Sequence, residues 1–220
     1  KFVKGPIFSN IVLVDEINRA TPRCQSSLLE AMNEKKVTTD TTTRNLPNLF
    51  FVLATQNSID FSGTNNLPEN QLDRFLMKFS IGYPSKEKEM KILKDPSPKE
   101  KIDALNPVID KSEICFIQKK VNEVNISNSI INWIIAIAIK SREHPDLRSG
   151  LSTRATVALA NCARALALYN DRDYVIPDDL IKYIYSICCH RIVPSSHLSG
   201  NSTVCKNALK DIIEKTPSPI

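Results

Sequence analysis

The chain has 220 residues, of which 42% are hydrophobic and 24% are charged, a balance that excludes disorder throughout. Lysine and arginine outnumber aspartate and glutamate by 29 to 24, and this mild excess is spread along the sequence. Such a charge distribution permits nucleic-acid binding but gives no argument for it.

The cysteines give no sign of a disulfide framework or a metal site. None forms a Cys-x-x-Cys pair, and several lie beside alanine and isoleucine in helical patterns: Cys24, Cys115, Cys162, Cys188, Cys189 and Cys205. Such residues are typical of the reduced core of a cytoplasmic protein. The three histidines have no ligand spacing with one another or with cysteine, so the sequence does not predict a zinc site.

Two features bear on membrane attachment and on the start of the chain. The most apolar stretch, Ile130–Ile139, is far shorter than the roughly 20 residues that a membrane span needs, so it predicts a buried helix. The amino end runs from Lys1 into Gly5 and Pro6 with neither a signal peptide nor an initiator methionine. We expect no membrane span, and we expect the sequence to begin partway through a larger protein.

The first part of the chain alternates between strand and helix signals. Ile11–Val14 is apolar at every position, as in a parallel strand that is buried on both faces. Pro22–Glu34 has leucine and methionine at helical spacing, and residues 37–46 are rich in β-branched residues, which predicts a short hairpin. Two further strands are predicted at Phe50–Thr55 and Phe79–Ile81. Three strands with helical connections predict an α/β layer.

From Ser85 onward the pattern is helical. The first helix begins near Ser85 and ends before Pro98, because proline disfavours helical geometry at the preceding residue. The tail Thr216–Ile220 is expected to fray. Further helices are predicted at about 111–123, 127–142, 153–169, 177–190 and 203–215. The predicted organisation is an α/β part over 1–84, a helical part over 85–195, and a final helix with its tail over 196–220.

Four groups of polar residues are candidates for a functional site. A polar residue after a strand is usually a turn former, and an arginine in a helix is usually solvated, so each group alone has an ordinary structural explanation. They are Asp15-Glu16 after the first strand, Thr55-Gln56-Asn57 after the second, Leu72-Asp73-Arg74-Phe75 before the third, and Ser152-Thr153-Arg154-Ala155 at the start of a helix.

Together these groups meet the chemical needs of nucleotide hydrolysis. One carboxylate can hold hydrated Mg²⁺, and a second can orient or deprotonate the attacking water. An amide can position that water, and guanidinium groups can neutralise charge on the transferred phosphoryl group.

The chain resembles the MoxR family of AAA+ ATPases, most closely from Gly5 to Pro84 and more loosely at Ser152–Leu168 and His190–Ile192. The closest segments are Gly5-Pro6-Ile7-Phe8-Ser9-Asn10-Ile11-Val12-Leu13-Val14-Asp15-Glu16-Ile17-Asn18-Arg19-Ala20, Gln25-Ser26-Ser27-Leu28-Leu29-Glu30-Ala31-Met32, Phe51-Val52-Leu53-Ala54-Thr55-Gln56-Asn57 and Leu67-Pro68-Glu69-Asn70-Gln71-Leu72-Asp73-Arg74-Phe75.

The resemblance implies a role for each candidate residue. Asp15 and Glu16 correspond to the Walker B pair, with Asp15 binding Mg²⁺ through water and Glu16 acting in catalysis. Asn57 corresponds to sensor 1, which is catalytic and also contacts ATP. Arg74 corresponds to the arginine finger, which acts on the nucleotide of a neighbouring subunit, and Arg154 to the nucleotide-contacting sensor 2.

The resemblance also implies an architecture and partners. The expected fold is α/β, with an incomplete AAA+ parallel sheet and flanking helices, followed by an all-α lid; the hairpin at 37–46 corresponds to the pre-sensor-1 insertion. A family member is expected to form a homo-oligomeric ring, in this case a hexamer. It would remodel client proteins like a chaperone, and von Willebrand factor A-domain proteins are the expected client class.

The sequence departs from the family pattern in two places. Family hairpins commonly turn at Asp-Gly, but here Asp40 precedes Thr41, which tolerates positive φ poorly. No glycine precedes a lysine, so the phosphate loop Gly-x-x-x-x-Gly-Lys-Ser/Thr (Walker A) is absent from these residues. In the family this loop lies upstream, and its strand is central in the sheet. We therefore expect exposed inner sheet edges and no hydrolysis by residues 1–220 alone.

Two alternatives to a complete ATPase remain open from the sequence. One is a non-catalytic, truncated AAA+ module that assembles through its helical half. The other is a nucleic-acid-translocating motor of the same branch, which would need a basic hairpin bearing aromatic residues. The hairpin at 37–46 offers only Arg44 and five threonines, so nucleic acid is the less favoured partner.

Overall fold

The computed structural model describes residues 2–39, 42–57, 67–94, 102–195 and 203–219. The α/β region comprises residues 2–57 and contains strand β1 (Ile11–Val14), helix α1 (Pro22–Glu34), the antiparallel hairpin of β2 (Lys36–Thr39) and β3 (Thr42–Asn45), and strand β4 (Phe51–Ala54). Strands β1 and β4 pair in parallel, with Val14 opposite Ala54. The predicted first strand, helix, hairpin and second strand are thereby confirmed. The predicted hairpin turn at Asp40 and Thr41 lies outside the described residues.

Helix α1 covers one face of this strand pair. Thr21 caps it by accepting a hydrogen bond from the Cys24 backbone N–H at 3.3 Å, and Pro22 occupies the first turn. Leu29, on the inner side of the helix, packs with Ile17 and Leu67 in a small buried cluster. Val14 and Ala54, the last residues of the two strands, pack against that cluster and so join the strand ends to α1.

Two expectations about the strands are wrong. Ile11 and Leu13 are 63% and 68% exposed, so β1 is not buried on both faces; no described element covers the face that carries them. Phe79–Ile81 is not a strand, and both Phe79 and Ile81 are largely exposed. A strand needs a neighbour for its backbone N–H and C=O groups, and none of the described strands lies beside this segment.

The short helix α2 (Glu69–Leu72) leads into the helical half of the chain. Helix α3 spans Lys86–Lys94, and none of its residues is buried. The helical module then comprises α4 (Lys111–Glu123), α5 (Asn128–Glu143), α6 (Thr153–Tyr169), α7 (Pro177–Ile181), α8 (Ile184–Cys188) and α9 (Val204–Glu214), with a small antiparallel pair of β5 (Leu147–Ser149) and β6 (Val193–Pro194). The predicted helix at 177–190 is two helices, because the chain leaves helical geometry between α7 and α8.

The core of the helical module lies between α5, α6 and α9. Ile137, Leu159 and Leu209 are at most 2% exposed and belong to one continuous cluster. The prediction of a buried helix at Ile130–Ile139 is correct for one face of the helix only. Ile135 and the isoleucines four residues before and after it lie on another face and are partly exposed. Within the described parts of the chain, no helix is long and apolar enough to cross a membrane.

The expected fraying of the tail is wrong at its first residue. Thr216 is 4% exposed, and its carbonyl oxygen accepts a hydrogen bond from the buried Trp133 indole N–H at 3.0 Å. Its hydroxyl donates to the Ile212 carbonyl oxygen at 2.6 Å. The α9 terminus is therefore fixed to α5 through the only tryptophan of the sequence.

Candidate functional site

The first candidate site lies where the paired strands β1 and β4 end. Thr55, the residue after β4, donates from its hydroxyl to Asp15 Oδ1 at 2.5 Å and accepts from the Glu16 backbone N–H at 2.8 Å. The Thr55 carbonyl oxygen accepts from the Ile17 N–H at 2.9 Å. Thr55 therefore fixes both the Asp15 carboxylate and the backbone turn that carries Glu16.

Glu16 lies in a sparsely populated backbone conformation. Its φ is 50° and its ψ is 53°, in the left-handed region, which costs a non-glycine residue roughly 1–2 kcal/mol. The turn is held by the hydrogen bond from the Arg19 N–H to the Glu16 carbonyl oxygen at 2.8 Å. Left-handed geometry here turns the chain away from β1 directly after Asp15, and such strain is frequent at functional sites.

The Glu16 carboxylate lies between an amide and a guanidinium. Its Oε1 is 3.5 Å from Asn57 Nδ2, and its Oε2 is 3.0 Å from Arg19 Nε. The structure thus brings Asp15, Glu16 and Asn57 together, as the parallel pairing of their strands predicts.

A second layer of amides holds this turn from behind. Asn18 is 3% exposed; its Nδ2 donates to the Asn57 carbonyl oxygen at 3.2 Å, and its Oδ1 accepts from the Asn57 N–H at 3.4 Å. Gln25, also buried, donates from Nε2 to the Ile17 carbonyl oxygen at 3.0 Å. Neither these roles nor that of Thr55 was predicted from the sequence. For Gln25 a signal exists, because a polar residue four positions before Leu29 lies on the buried face of α1.

The donor set at this site suits a hydrated divalent cation. Two adjacent carboxylates and one amide oxygen are oxygen ligands of the kind that Mg²⁺ prefers. Arg19 is the cation paired with Glu16, whereas the recorded partner of the Asp15 carboxylate is the neutral Thr55 hydroxyl. An additional positive charge would therefore be favoured beside Asp15.

The second candidate cluster surrounds Asp73, in the turn after α2. Ser152 donates from its hydroxyl to the two Asp73 carboxylate oxygens at 3.0 and 3.2 Å. Arg191 Nε is 3.1 Å from Asp73 Oδ1, and Arg154 Nη1 is 3.6 Å from Asp73 Oδ2. Residues far apart in the sequence thus converge on one carboxylate between α2 and the helical module.

Arg191 is the buried member of this cluster, and its side chain is only 1% exposed. Its guanidinium donates to the Phe75 carbonyl oxygen at 2.7 Å and to the Ile187 carbonyl oxygen at 2.9 Å. Burial lowers the pKa of Arg191, and the Asp73 carboxylate opposes that change. His190 Nε2 also donates to the Phe75 carbonyl oxygen at 2.9 Å, and burial lowers the pKa of its imidazole.

Arg154 lies in this second cluster, and Arg74 follows Asp73 directly in the chain. Arg74 is half-buried, and its Nε has no hydrogen-bond partner within the described residues. Neither neighbouring carboxylate forms an ion pair with Arg74: Asp73 pairs with Arg191, and Glu69 pairs with Arg148 at 2.9 Å. Arg154 is 51% exposed beside Asp73. The five predicted site residues therefore form two groups, three around Thr55 and two beside Asp73.

Comparison with known families matches both halves of the chain. Residues 1–77 match the ATPase family associated with various cellular activities (AAA), and residues 139–212 match the AAA lid domain. The first match contains the Asp15, Glu16 and Asn57 site together with Arg74. The second contains Arg154 and Arg191.

Individual relatives extend this likeness over nearly the whole chain. The uncharacterized protein YeaC of Bacillus subtilis is 49% identical over 217 residues, which are 98% of this chain and 68% of YeaC. Chaperone MoxR1 of Mycobacterium tuberculosis is 35% identical over 203 residues, which are 86% of this chain and 52% of MoxR1. The crystal structure of a candidate ATPase from Cytophaga hutchinsonii superposes with a TM-score of 0.92 at 36% identity, covering 99% of this chain and 69% of that one.

Proposed function

Because the chain belongs to the MoxR family of AAA+ ATPases, we propose that it supplies the Walker B, sensor and lid residues of an enzyme that hydrolyses ATP with Mg²⁺. The observation that supports this most directly is the contact of Asp15, Glu16 and Asn57 around Thr55 at the ends of two parallel strands. In open α/β sheets, ligands bind outside the carboxyl ends of the strands.

Each residue of the first site has a role that its position supports. Asp15 would accept hydrogen bonds from the water shell of Mg²⁺, which neutralises phosphate charge when it is bound with ATP. Glu16 would take the proton of the attacking water, and Asn57, 3.5 Å from Glu16 Oε1, would orient that water. Oε2 of Glu16 faces Arg19, so Oε1 is the oxygen available for this step.

The two arginines beside Asp73 would act on phosphate charge. Arg74 would be an arginine finger for the nucleotide of a neighbouring subunit, and Arg154 would be the sensor 2 contact. Support for Arg74 comes from its sequence position and from the lack of an ion pair that would give it a purely structural role within the described residues. Guanidinium groups that stabilise developing phosphoryl charge contribute strongly to such reactions.

The proposal extends to assembly and domain roles. We propose a homohexameric, cytoplasmic ring that remodels client proteins, and the likeness to chaperone MoxR1 supports the remodelling role. Proteins with von Willebrand factor A domains are the proposed client class. In this assembly residues 1–84 would belong to the nucleotide-binding domain and residues 85–195 to the lid. Residues 196–220 contribute a helix, α9, that packs on α5.

The catalytic assignment is tested by carboxylate-to-amide variants of the complete gene product. Glu16→Gln should preserve ATP binding and reduce turnover by about 10²-fold or more, because general-base catalysis contributes roughly 10²–10⁴. Asp15→Asn should instead weaken Mg²⁺-dependent binding. Glu34→Gln makes the same change at an exposed site on α1 and serves as the control. Wild-type turnover in both site variants would refute the assignment.

A mixing experiment tests the action of Arg74 across subunits. Arg74→Ala subunits should bind ATP but turn over slowly, and so should Glu16→Gln subunits. A mixture should recover part of the activity, because some interfaces then pair an intact Glu16 with an intact Arg74. A mixture that shows only the summed activity of its two components contradicts a role across subunits.

Calorimetry of residues 1–220 tests the place of the phosphate site. Phosphates are bound mainly by backbone amides and the lysine of a glycine-rich loop, and this sequence contains no such loop. Two carboxylates without that loop would repel a polyphosphate. We propose that ATP binds feebly to residues 1–220 and is not hydrolysed; micromolar binding would support a different phosphate site.

A further inference from the structure

The segment Glu69–Lys78, here called the arginine segment, carries Arg74 between the two halves of the molecule. Its side toward the α/β region is mainly apolar: Leu72 and Phe75 pack beside Leu29 and Ile17. On the side toward the α/β region, Gln71 Nε2 also donates a 3.5 Å hydrogen bond to the Ser26 hydroxyl. Apolar contacts are non-directional, so they fix the orientation of the arginine segment less sharply than hydrogen bonds do.

Polar contacts of the arginine segment with the helical module are more numerous and more specific. Glu69 binds Arg148 through both carboxylate oxygens at 2.9 Å, and the Lys78 N–H donates to the Ser186 carbonyl oxygen at 2.8 Å. Between these two ends, Arg191 donates to the Asp73 carboxylate and to the carbonyl oxygens of Asp73 and Phe75, so it holds the backbone on both sides of Arg74. The anchors of Arg74 thus belong chiefly to the lid half.

Asp73 is the centre of this attachment, and its three partners differ in exposure. Arg191 is almost fully buried and Ser152 is half-buried at the start of α6, so both are fixed by the helical module. Arg154 is half exposed, and its Nη1 is 3.6 Å from Asp73 Oδ2. Solvent and other anions can therefore compete with Asp73 for this guanidinium. The carboxylate therefore has two partners that the helical module fixes, Arg191 and Ser152, and one exposed partner, Arg154, that can exchange.

Resting on the function proposed above, we propose that Asp73 is a positioning residue that fixes the arginine segment to the helical module and thereby sets the position of Arg74. Arg74 Nε has no hydrogen-bond partner within the described residues, so the location of its guanidinium depends on how residues 73–75 are held. A phosphate group that binds Arg154 would remove this arginine from Asp73. It would thereby change the contacts of the carboxylate that positions Arg74. The two arginines are thereby coupled through Asp73.

The principal test is Asp73→Asn in the complete gene product. Asparagine keeps the size of the side chain and one acceptor oxygen but removes the charge that Arg191 requires. We expect KM for ATP to change by less than about 2-fold and kcat to fall about 10-fold or more, because small misplacements of catalytic groups reduce rate strongly. Glu123→Gln, which breaks an exposed pair with Lys120 on α4, is the matched control and should leave both constants unchanged.

A double variant separates positioning from general damage. If Asp73 acts through Arg74, Asp73→Asn should cost nothing further once Arg74 is alanine, so the double variant should be as slow as Arg74→Ala alone. Multiplied losses in the double variant would overturn the proposal, and so would wild-type kcat in Asp73→Asn. If Arg74→Ala itself keeps wild-type turnover, the arginine role in the proposed function is wrong.

Hydrogen exchange provides a readout that does not depend on activity. In Asp73→Asn, the amides of residues 74–78 should exchange faster while those of α6 keep their wild-type rates, because only the attachment is loosened. Faster exchange throughout α6 would show general destabilisation and overturn the positioning role. Unchanged exchange at residues 74–78 would overturn it as well, whatever the effect on turnover.

Discussion

The two halves of this chain differ sharply in how much of their apolar surface they bury. In the helical module one continuous cluster joins α5 to α9, and Leu159, Ile184 and Leu209 are at most 2% exposed. In the α/β region the corresponding cluster has Ile17, Leu29 and Leu67 at its centre, and Leu13 on the other side of the sheet is 68% exposed. The carboxylates of the candidate site therefore lie on the more weakly packed half.

This difference shows that the site geometry depends on local polar contacts more than on a deep core. Thr55, Asn18 and Gln25 hold the turn at Glu16 by hydrogen bonds to its backbone and side chains. Such contacts contribute roughly 0.5–1.5 kcal/mol each, much less than the burial of a large core. We therefore expect the weakly packed and the well-packed parts of the molecule to respond differently to hydrogen exchange, leucine truncation, backbone crowding and acid.

Hydrogen exchange should show the largest contrast. Amides of α3, which has no buried residue, should exchange on the order of 10³-fold faster than those at the centre of α6, which has six buried residues. Opening of α3 costs little because no described apolar contact has to be broken. Amide hydrogen exchange of the protein comprising residues 1–220, measured by mass spectrometry, would test this prediction. Equal protection of the two helices would show that α3 packs on a partner in solution.

Leucine truncation should separate a buried side chain from an exposed one. Leu209→Ala should lower the free energy of unfolding by about 2–5 kcal/mol, because Leu209 is fully buried between α9 and α5. Leu13→Ala removes the same atoms from the exposed side of β1. It should change the free energy of unfolding by less than about 0.5 kcal/mol. Urea unfolding monitored by Trp133 fluorescence provides the measurement. A large cost for Leu13→Ala would indicate that the exposed sheet face is covered in solution.

Backbone crowding should distinguish two glycines. A Cβ at Gly150 would lie 2.5 Å from backbone atoms of Ser141 and Arg142, so Gly150→Ala should cost about 1–3 kcal/mol or more. Gly5 has no atom within 4 Å of such a Cβ, and Gly5→Ala is the control. Thermal unfolding of both variants checks this prediction. An unchanged midpoint for Gly150→Ala would mean that the loop before α6 adjusts freely.

Local sequence patterns were sufficient to predict most of the helices and the two strands whose ends carry Asp15 and Asn57. The capping and periodic residues of α1, α4 and α6 lie within a few positions of one another, so their ends could be placed correctly. Asp15 and Asn57 could be brought together because they follow strands that pair in parallel. Parallel strands that pair have their carboxyl ends at the same edge of the sheet. The position of each residue directly after its own strand is therefore enough to place it at that edge.

Features set by distant residues could not be predicted. Phe79–Ile81 has a strand-like composition, but whether it pairs depends on a neighbouring strand that no local pattern reveals. The contact of Asp73 with Arg191 joins residues 118 positions apart in the chain, a separation at which spacing carries no information. The exposed face of β1 is a similar case, because four apolar residues predict burial without specifying what covers them.

The response to acid should come from the helical half, which contains all three histidines of the sequence. Burial, with the nearby charges of Arg191 and Lys78, holds the pKa of His190 below its ordinary value of 6.5, although Asp73 and the Phe75 carbonyl oxygen oppose this. Protonation therefore favours the unfolded chain. The stability that neutral His190 contributes is present above about pH 6.5 and is lost as the pH falls through the lower pKa of the folded state.

The predicted result is a lower thermal midpoint for residues 1–220 at pH 5.5 than at pH 7.5, with a smaller decrease in His190→Gln. Glutamine can still donate to the Phe75 carbonyl oxygen but cannot be protonated, so the difference between the two decreases isolates the imidazole. The lowered pKa of Asp211, caused mainly by its hydrogen bond with Lys215, acts only below about pH 3.8 and does not enter this window. Equal decreases in the two proteins would show that His190 is solvated in the folded state. The attachment of Phe75 to the helical module would then rest on Arg191 rather than on both side chains.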